Sequence, residues 1–133
     1  MIIVDLKEIE VEDSEEKWNY YELADGTTLK VKIVLIRVIN EGDSHGNIGY
    51  DLQSAHVMGV KPPAELIGRE QIDKFEDIEF NPTNDVWNKY KLKNGFTLML
   101  KPALTQVNRT GERDPRGIPI YSIQAQPLIK IKK

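Results

Sequence analysis

From Thr27 to Ile39 the chain alternates: Leu29, Val31, Ile33 and Leu35 are apolar, whereas Lys30 and Lys32 between them are charged. A period of two puts the two sets on opposite faces, so this segment predicts a β-strand with one dry face. The alternation fades where Val34, Ile36 and Val38 make the second face apolar as well, which predicts a distal half covered on both sides. Trp18 to Leu23 reads as a shorter strand ahead of it. Asp25-Gly26 between the two predicts a type I′ hairpin turn, because that turn needs two residues that accept positive φ. Trp87 to Leu92, Asn94-Gly95 and Phe96 to Val107 predict a second hairpin of the same kind. Tyr50 to Val60 and Tyr121 to Ile131 then predict long return strands, with tips at Gly42 to Gly49 and Thr110 to Pro119.

These similarities have a fixed period. Trp18 and Trp87, Asn19 and Asn88, Tyr21 and Tyr90, Leu23 and Leu92, and Gly26 and Gly95 all lie 69 residues apart. From Glu8 and Asp77 onward, 13 of 35 aligned positions are identical. Chance would give about 2, and a period of this length marks an internal repeat. Beyond Gly42 the offset becomes 71 and pairs Tyr50 with Tyr121 and Gln53 with Gln124, so two extra residues fall in the loop Gly111 to Gly117. Upstream, Ile3, Leu6, Ile9 and Val11 align with Ile72, Phe75, Ile78 and Phe80 and give each unit a fourth strand-like segment.

The expected fold is therefore all-β: two four-strand units of about 66 residues, spanning 1–62 and 70–133, joined by a linker near 61–69. The linker, with Pro63 near its start and Gly68 near its end, is the one place where a short helix is expected. A unit of this size buries little core and leaves strand edges open, which favours one pseudo-two-fold barrel or sandwich with long hairpins over two separate mini-barrels.

The 133 residues, 40% of them apolar, are enough for one core, and a net charge of −3 at pH 7 does not select a polyanionic partner. No run approaches the roughly 18 apolar residues of a membrane-spanning helix. The N-terminal stretch turns acidic too soon for a signal peptide, so a cytoplasmic protein is expected. The absence of cysteine removes disulfides, thiolate catalysis and thiolate metal sites together.

No recognised motif sets a nucleophile beside a base, and no glycine loop cradles phosphate, so a non-enzymatic role is expected and no cofactor is assigned. Asp43, His45 and Asp51 offer oxygen and nitrogen ligands without any characteristic spacing, and no metal is assigned to them. His56, on a strand, reads as a core or interface residue rather than a base. Trp18 and Trp87 could form symmetric stacking platforms, but the reading adopted makes each a buried plug with a local hydrogen bond. Arg109, Arg113 and Arg116 on one hairpin loop could grip phosphate, although Glu112 and Asp114 among them favour internal pairing. Charge is also polarised along the chain: residues 1–17 carry net −5 and residues 99–133 net +5. Those segments lie together in one molecule or meet between molecules. The functional expectation is a binding or assembly module whose partner is a protein, first of all another copy of itself, through Val34, Ile36, Val38 and His45. The alternative is a nucleic-acid-binding barrel that uses Arg109, Arg113 and Arg116.

Overall fold

A computed structural model describes residues 8–44, 47–68 and 74–133. The strands are β1 (Glu8–Ile9), β2 (Val11–Glu15), β3 (Asn19–Leu23), β4 (Thr28–Ser44), β5 (Asn47–Lys61), β6 (Glu76–Asp77), β7 (Phe80–Asn84), β8 (Asn88–Leu92), β9 (Thr97–Arg113) and β10 (Pro119–Lys132). Between β5 and β6 the expected short helix is a single 3₁₀ turn, Ala64–Leu66, with Pro63 at its N-cap. The all-β class is as expected.

The strands form two curled antiparallel sheets. In the first the order is β7-β3-β4-β5, with β1 beside the distal part of β4; in the second it is β2-β8-β9-β10, with β6 beside the distal part of β9. Adding 69 to the bounds of β2, β3 and β4 gives the bounds of β7, β8 and β9. Neither sheet comes from one half of the sequence, because β2 pairs with β8 and β7 pairs with β3. Two buried asparagines fasten this exchange. The Lys17 backbone N–H donates to Asn88 Oδ1 at 2.8 Å, and the Val86 N–H donates to Asn19 Oδ1 at 2.7 Å. Asn88 Nδ2 also donates to the Ile33 carbonyl and to the Tyr90 hydroxyl.

The hairpin turns differ from type I′. Gly26 N–H donates to the Leu23 carbonyl and Leu23 N–H to the Thr27 carbonyl, which centres the turn on Ala24 and Asp25 and leaves Gly26 alone at φ +89°. Gly95, at φ +91°, closes on Leu92 in the same way. The side chains decide it: Asp25 Oδ1 accepts from the Thr27 N–H and Asn94 Oδ1 from the Phe96 N–H, a local bond that rewards the three-residue loop with a glycine bulge. The long hairpin tips are also tighter than expected. Pairing of β4 with β5 continues through Gly42 with Gly49 to Ser44 with Asn47, and β9 and β10 are joined by residues 114–118.

Alternation works as far as a bulge. Leu29, Val31 and Ile33 are fully buried, and a one-residue slip would exchange them for Lys30 and Lys32 at a cost of several kcal/mol. The register then shifts between Leu35 and Arg37, so Val38 points inward in place of its odd-numbered neighbours. Leu98, Leu100 and Val107 repeat this behaviour along β9.

Because β4 and β9 each run for 17 residues, each passes from one core into the other. One core joins Tyr21, Leu23, Leu29 and Val31 to Ile78 and Val107, with Val60 and Phe80 packed against it. The second joins Tyr90, Leu92, Leu98 and Leu100 to Ile33 and Val38.

Candidate interaction surface

The arginine loop resolves into three different situations. Arg109 turns inward, where Nη1 lies 3.3 Å from Asp25 Oδ2 and Nη2 lies 3.0 Å from Glu76 Oε2. The Arg109 and Asp25 side chains are only 18% and 8% exposed. The Tyr121 hydroxyl donates to Asp25 Oδ2 at 2.5 Å and lies 2.9 Å from Thr27 Oγ1, so one carboxylate gathers residues from both halves of the chain. Burial first, and then the bond to Asp25, push the Tyr121 hydroxyl up to about 12. Arg113 is spent on backbone, donating to the carbonyls of Leu66 and Gly117 and so tying the linker to the β9–β10 loop. Of the three, Arg116 alone is exposed, beside Asp114 at 3.3 Å. Backbone N–H groups of Ile118 and then Arg116 hold the Asp114 carboxyl below its ordinary value, which makes that residue a loop-former.

Sequence reasoning used Asp25 as a turn residue and missed its role in this network. A signal did exist: the positions 69 residues from Asp25 and Arg109 are Asn94 and Asn40, so an acid in the first half and a base in the second each stand where the other half has an amide. In the second half Asn94 Nδ2 donates to the Tyr50 hydroxyl at 3.1 Å, where Asp25 accepts from Tyr121.

The tryptophans are not buried plugs. Both are partly exposed; Lys30 and Lys32 ammonium groups stand 4.5 and 5.0 Å from the Trp18 ring centre, and Lys101 and Lys130 stand 4.8 and 5.7 Å from that of Trp87. Lys30 and Lys32 alternate with core residues of β4, which sets the indole on the outer surface of the sheet under a cation. The tyrosines fill the core positions instead. Burial and a 2.7 Å bond to Glu16 Oε2 push the Tyr90 hydroxyl well above the ordinary phenol value, and burial raises Tyr21.

Of the apolar candidates, Ile36 is exposed, Val34 is partly exposed and Val38 belongs to the second core. The outer-face expectation therefore does not hold at Val38, and the bulge at Leu35/Arg37 is the reason. His45 lies outside the described residues, and with it the group it would form with Asp43 and Asp51. Among the described residues no cluster of histidine, aspartate and glutamate is arranged to hold a metal. His56 pairs with Ile33 across β4 and β5, and burial pulls its imidazole below the ordinary value.

The acidic and basic segments occupy opposite edges of one sheet. Strand β2 carries Glu12, Asp13 and Glu15 along one edge of the second sheet, and β10 carries Lys130 and Lys132 along the other. Cross-strand partners run Glu15, Lys89, Met99, Lys130 in one row and Asp13, Lys91, Thr97, Lys132 in the next. Of the two placements open to these segments, contact within one molecule is not made between β2 and β10 in this sheet, since β8 and β9 stand between them. A cleft of about 500 Å³ lies beside β2, lined by Glu8, Glu12, Glu16, Ile36 and Arg37 among others. Lys93 closes part of its rim through a 2.6 Å pair with Glu10. No helix of the described residues is long and apolar enough to cross a membrane. No protein-family model, curated protein or solved structure matches the chain.

Proposed function

We propose that the chain is a tandem duplication whose halves interlock as one body, and that it serves as a non-enzymatic assembly module whose partner is a protein, in the first place another copy of itself. The 13 identities at one offset, the strand bounds repeated at 69 and the reciprocal asparagine clamps support the duplication. The observation that carries the assembly reading is the placement of large apolar side chains on unfinished surface. Val57 and Met58 on β5, and Leu128, Ile129 and Ile131 on β10, are exposed on strands that end their sheets, and Ile36 is exposed on the cleft wall. Unpaired edges with apolar side chains bind other strands unless something covers them.

Light scattering over a concentration series tests this. Mass above that of the 15.2 kDa chain is expected, and Val34→Lys with Ile36→Lys is expected to reduce it. A monomer at every concentration and salt, unchanged by that variant, would sink the reading.

One observation favours a nucleic-acid reading, and it moves that reading away from residues 109–116. Lys101 and Lys130 stand 4.8 and 5.7 Å from the ring centre of the partly exposed Trp87, and Lys89, Lys91 and Lys132 lie on the same sheet. An indole among cations is a stacking platform for a base beside phosphate. Quenching of Trp87 by a single-stranded oligonucleotide, lost steeply with salt, is its test.

A further inference from the structure

We infer that the second sheet continues from one copy of the chain into the next, the free edge of β10 pairing with the free edge of β2 in a head-to-tail array. The inference rests on the assembly reading and names its surface, partner and register.

Four observations converge on it. The edges are charge-complementary: β2 reads Val11-Glu12-Asp13-Ser14-Glu15, and beyond Pro127 the last part of β10 reads Leu128-Ile129-Lys130-Ile131-Lys132. Like edges repel and unlike edges attract, which disfavours β2 on β2 and β10 on β10 and favours β2 on β10.

The direction is also correct. Every neighbour in the sheet is antiparallel, so across β2-β8-β9-β10 the two edge strands run in opposite senses. A copy displaced along the sheet therefore presents its β2 antiparallel to β10. The existing rows then extend without a break, Lys130 meeting the next copy's Glu15 and Lys132 its Asp13.

These same edges are where the second core is incomplete. In the first core Val60 and Phe80 pack against the cluster. Their repeat counterparts, Ile131 and Val11, are 37% and 38% exposed, and Ile129 beside them is 51% exposed. A strand from a neighbouring copy supplies the cover that these residues lack.

Finally, the first sheet is protected at the edge 69 residues on from β2, where the second sheet is not. Its edge strand β7 is uncharged and has Pro82, without an N–H, at its centre, a common device against edge pairing. Strand β2 has no proline. A contact between unlike edges is heterologous, so it grows into an open array unless its rotation closes a ring.

The test is sedimentation and light scattering of the intact chain and of Lys130→Glu/Lys132→Glu, alone and mixed, at low and physiological salt. Both lysines are exposed, and a far-ultraviolet melt checks that the variant folds. Wild type is expected to give a mass that grows with concentration and falls with salt. The variant alone is expected to remain a monomer. Mixed with wild type it is expected to act as a chain end, because its β2 still accepts a wild-type β10 while its own β10 can no longer add, so mean mass falls at substoichiometric doses. A wild-type array that the variant neither loses nor caps would overturn the edge assignment and leave the assembly reading intact. A mixed dimer tighter than either parent would instead show β10 meeting β10. Monomers throughout would end both readings.

Discussion

Replacing Arg109 by Met tests whether the two halves are held together electrostatically as well as by their cores. At 3.3 Å and an effective dielectric constant near 20, the gross attraction of Arg109 to Asp25 is about 5 kcal/mol. Taking both charges out of water offsets most of that, so the intact pair adds little net stability. Deleting one partner is another matter, because it leaves a carboxylate that is only 8% exposed. Such deletions cost about 3–5 kcal/mol when nothing else compensates. Asp25 keeps the Thr27 N–H on Oδ1 and the Tyr121 hydroxyl on Oδ2, and methionine preserves most of the arginine stem, which together bring the expected loss to about 2 kcal/mol. Asp25→Asn is expected to cost less, about 1 kcal/mol, since Arg109 retains Glu76 at 3.0 Å and the amide can bond as Asn94 does in the other half. The double variant is expected to lose less than the sum of the two, with a coupling of about 1–2 kcal/mol. Urea unfolding followed by circular dichroism and by indole fluorescence supplies the cycle, and coincident transitions license it. A loss below about 0.5 kcal/mol for Arg109→Met, or strict additivity, would refute the reasoning.

The asparagine clamps should be unequal although Asn19 and Asn88 stand at matching positions 69 residues apart. Asn88 bonds to Lys17, Ile33 and Tyr90 groups, whereas Asn19 bonds to the Val86 N–H and its Nδ2 has no hydrogen-bond partner. Asn88→Ala is therefore expected to cost about 3 kcal/mol and Asn19→Ala about 1–2 kcal/mol in urea unfolding; equal losses would contradict the geometry. Tyr121 has its folded value raised from 10.0 to about 12, so its stabilisation is fully present below pH 10 and is lost as pH rises toward 12. Allowing for solvent around a partly exposed ring, the loss is about 1–2 kcal/mol, and Tyr121→Phe should flatten that part of the stability profile.

The local code of this chain was strong enough to be read directly. Period-two alternation located β4, Asp25-Gly26 and Asn94-Gly95 located the hairpins, and the 69-residue offset carried the reading to β9, because each signal depends on local sequence and pleat geometry alone. Four features depended on the tertiary fold. The bulge that turns Val38 inward arises from the register of β4 against β5, not from the composition of β4. The outward position of Trp18 and Trp87 is settled by which face each sheet gives to its core, and a lysine on that face can take an indole as readily as a core can. The fate of the arginines was decided by what the fold brought near them: a buried carboxylate 84 residues away for Arg109, linker and loop carbonyls for Arg113, and only a local aspartate for Arg116. Charge polarity was legible from residue counts, but its placement at opposite edges of one sheet was not. Strand exchange decided that, because β2 pairs with β8 across the chain and leaves two intervening strands between acid and base.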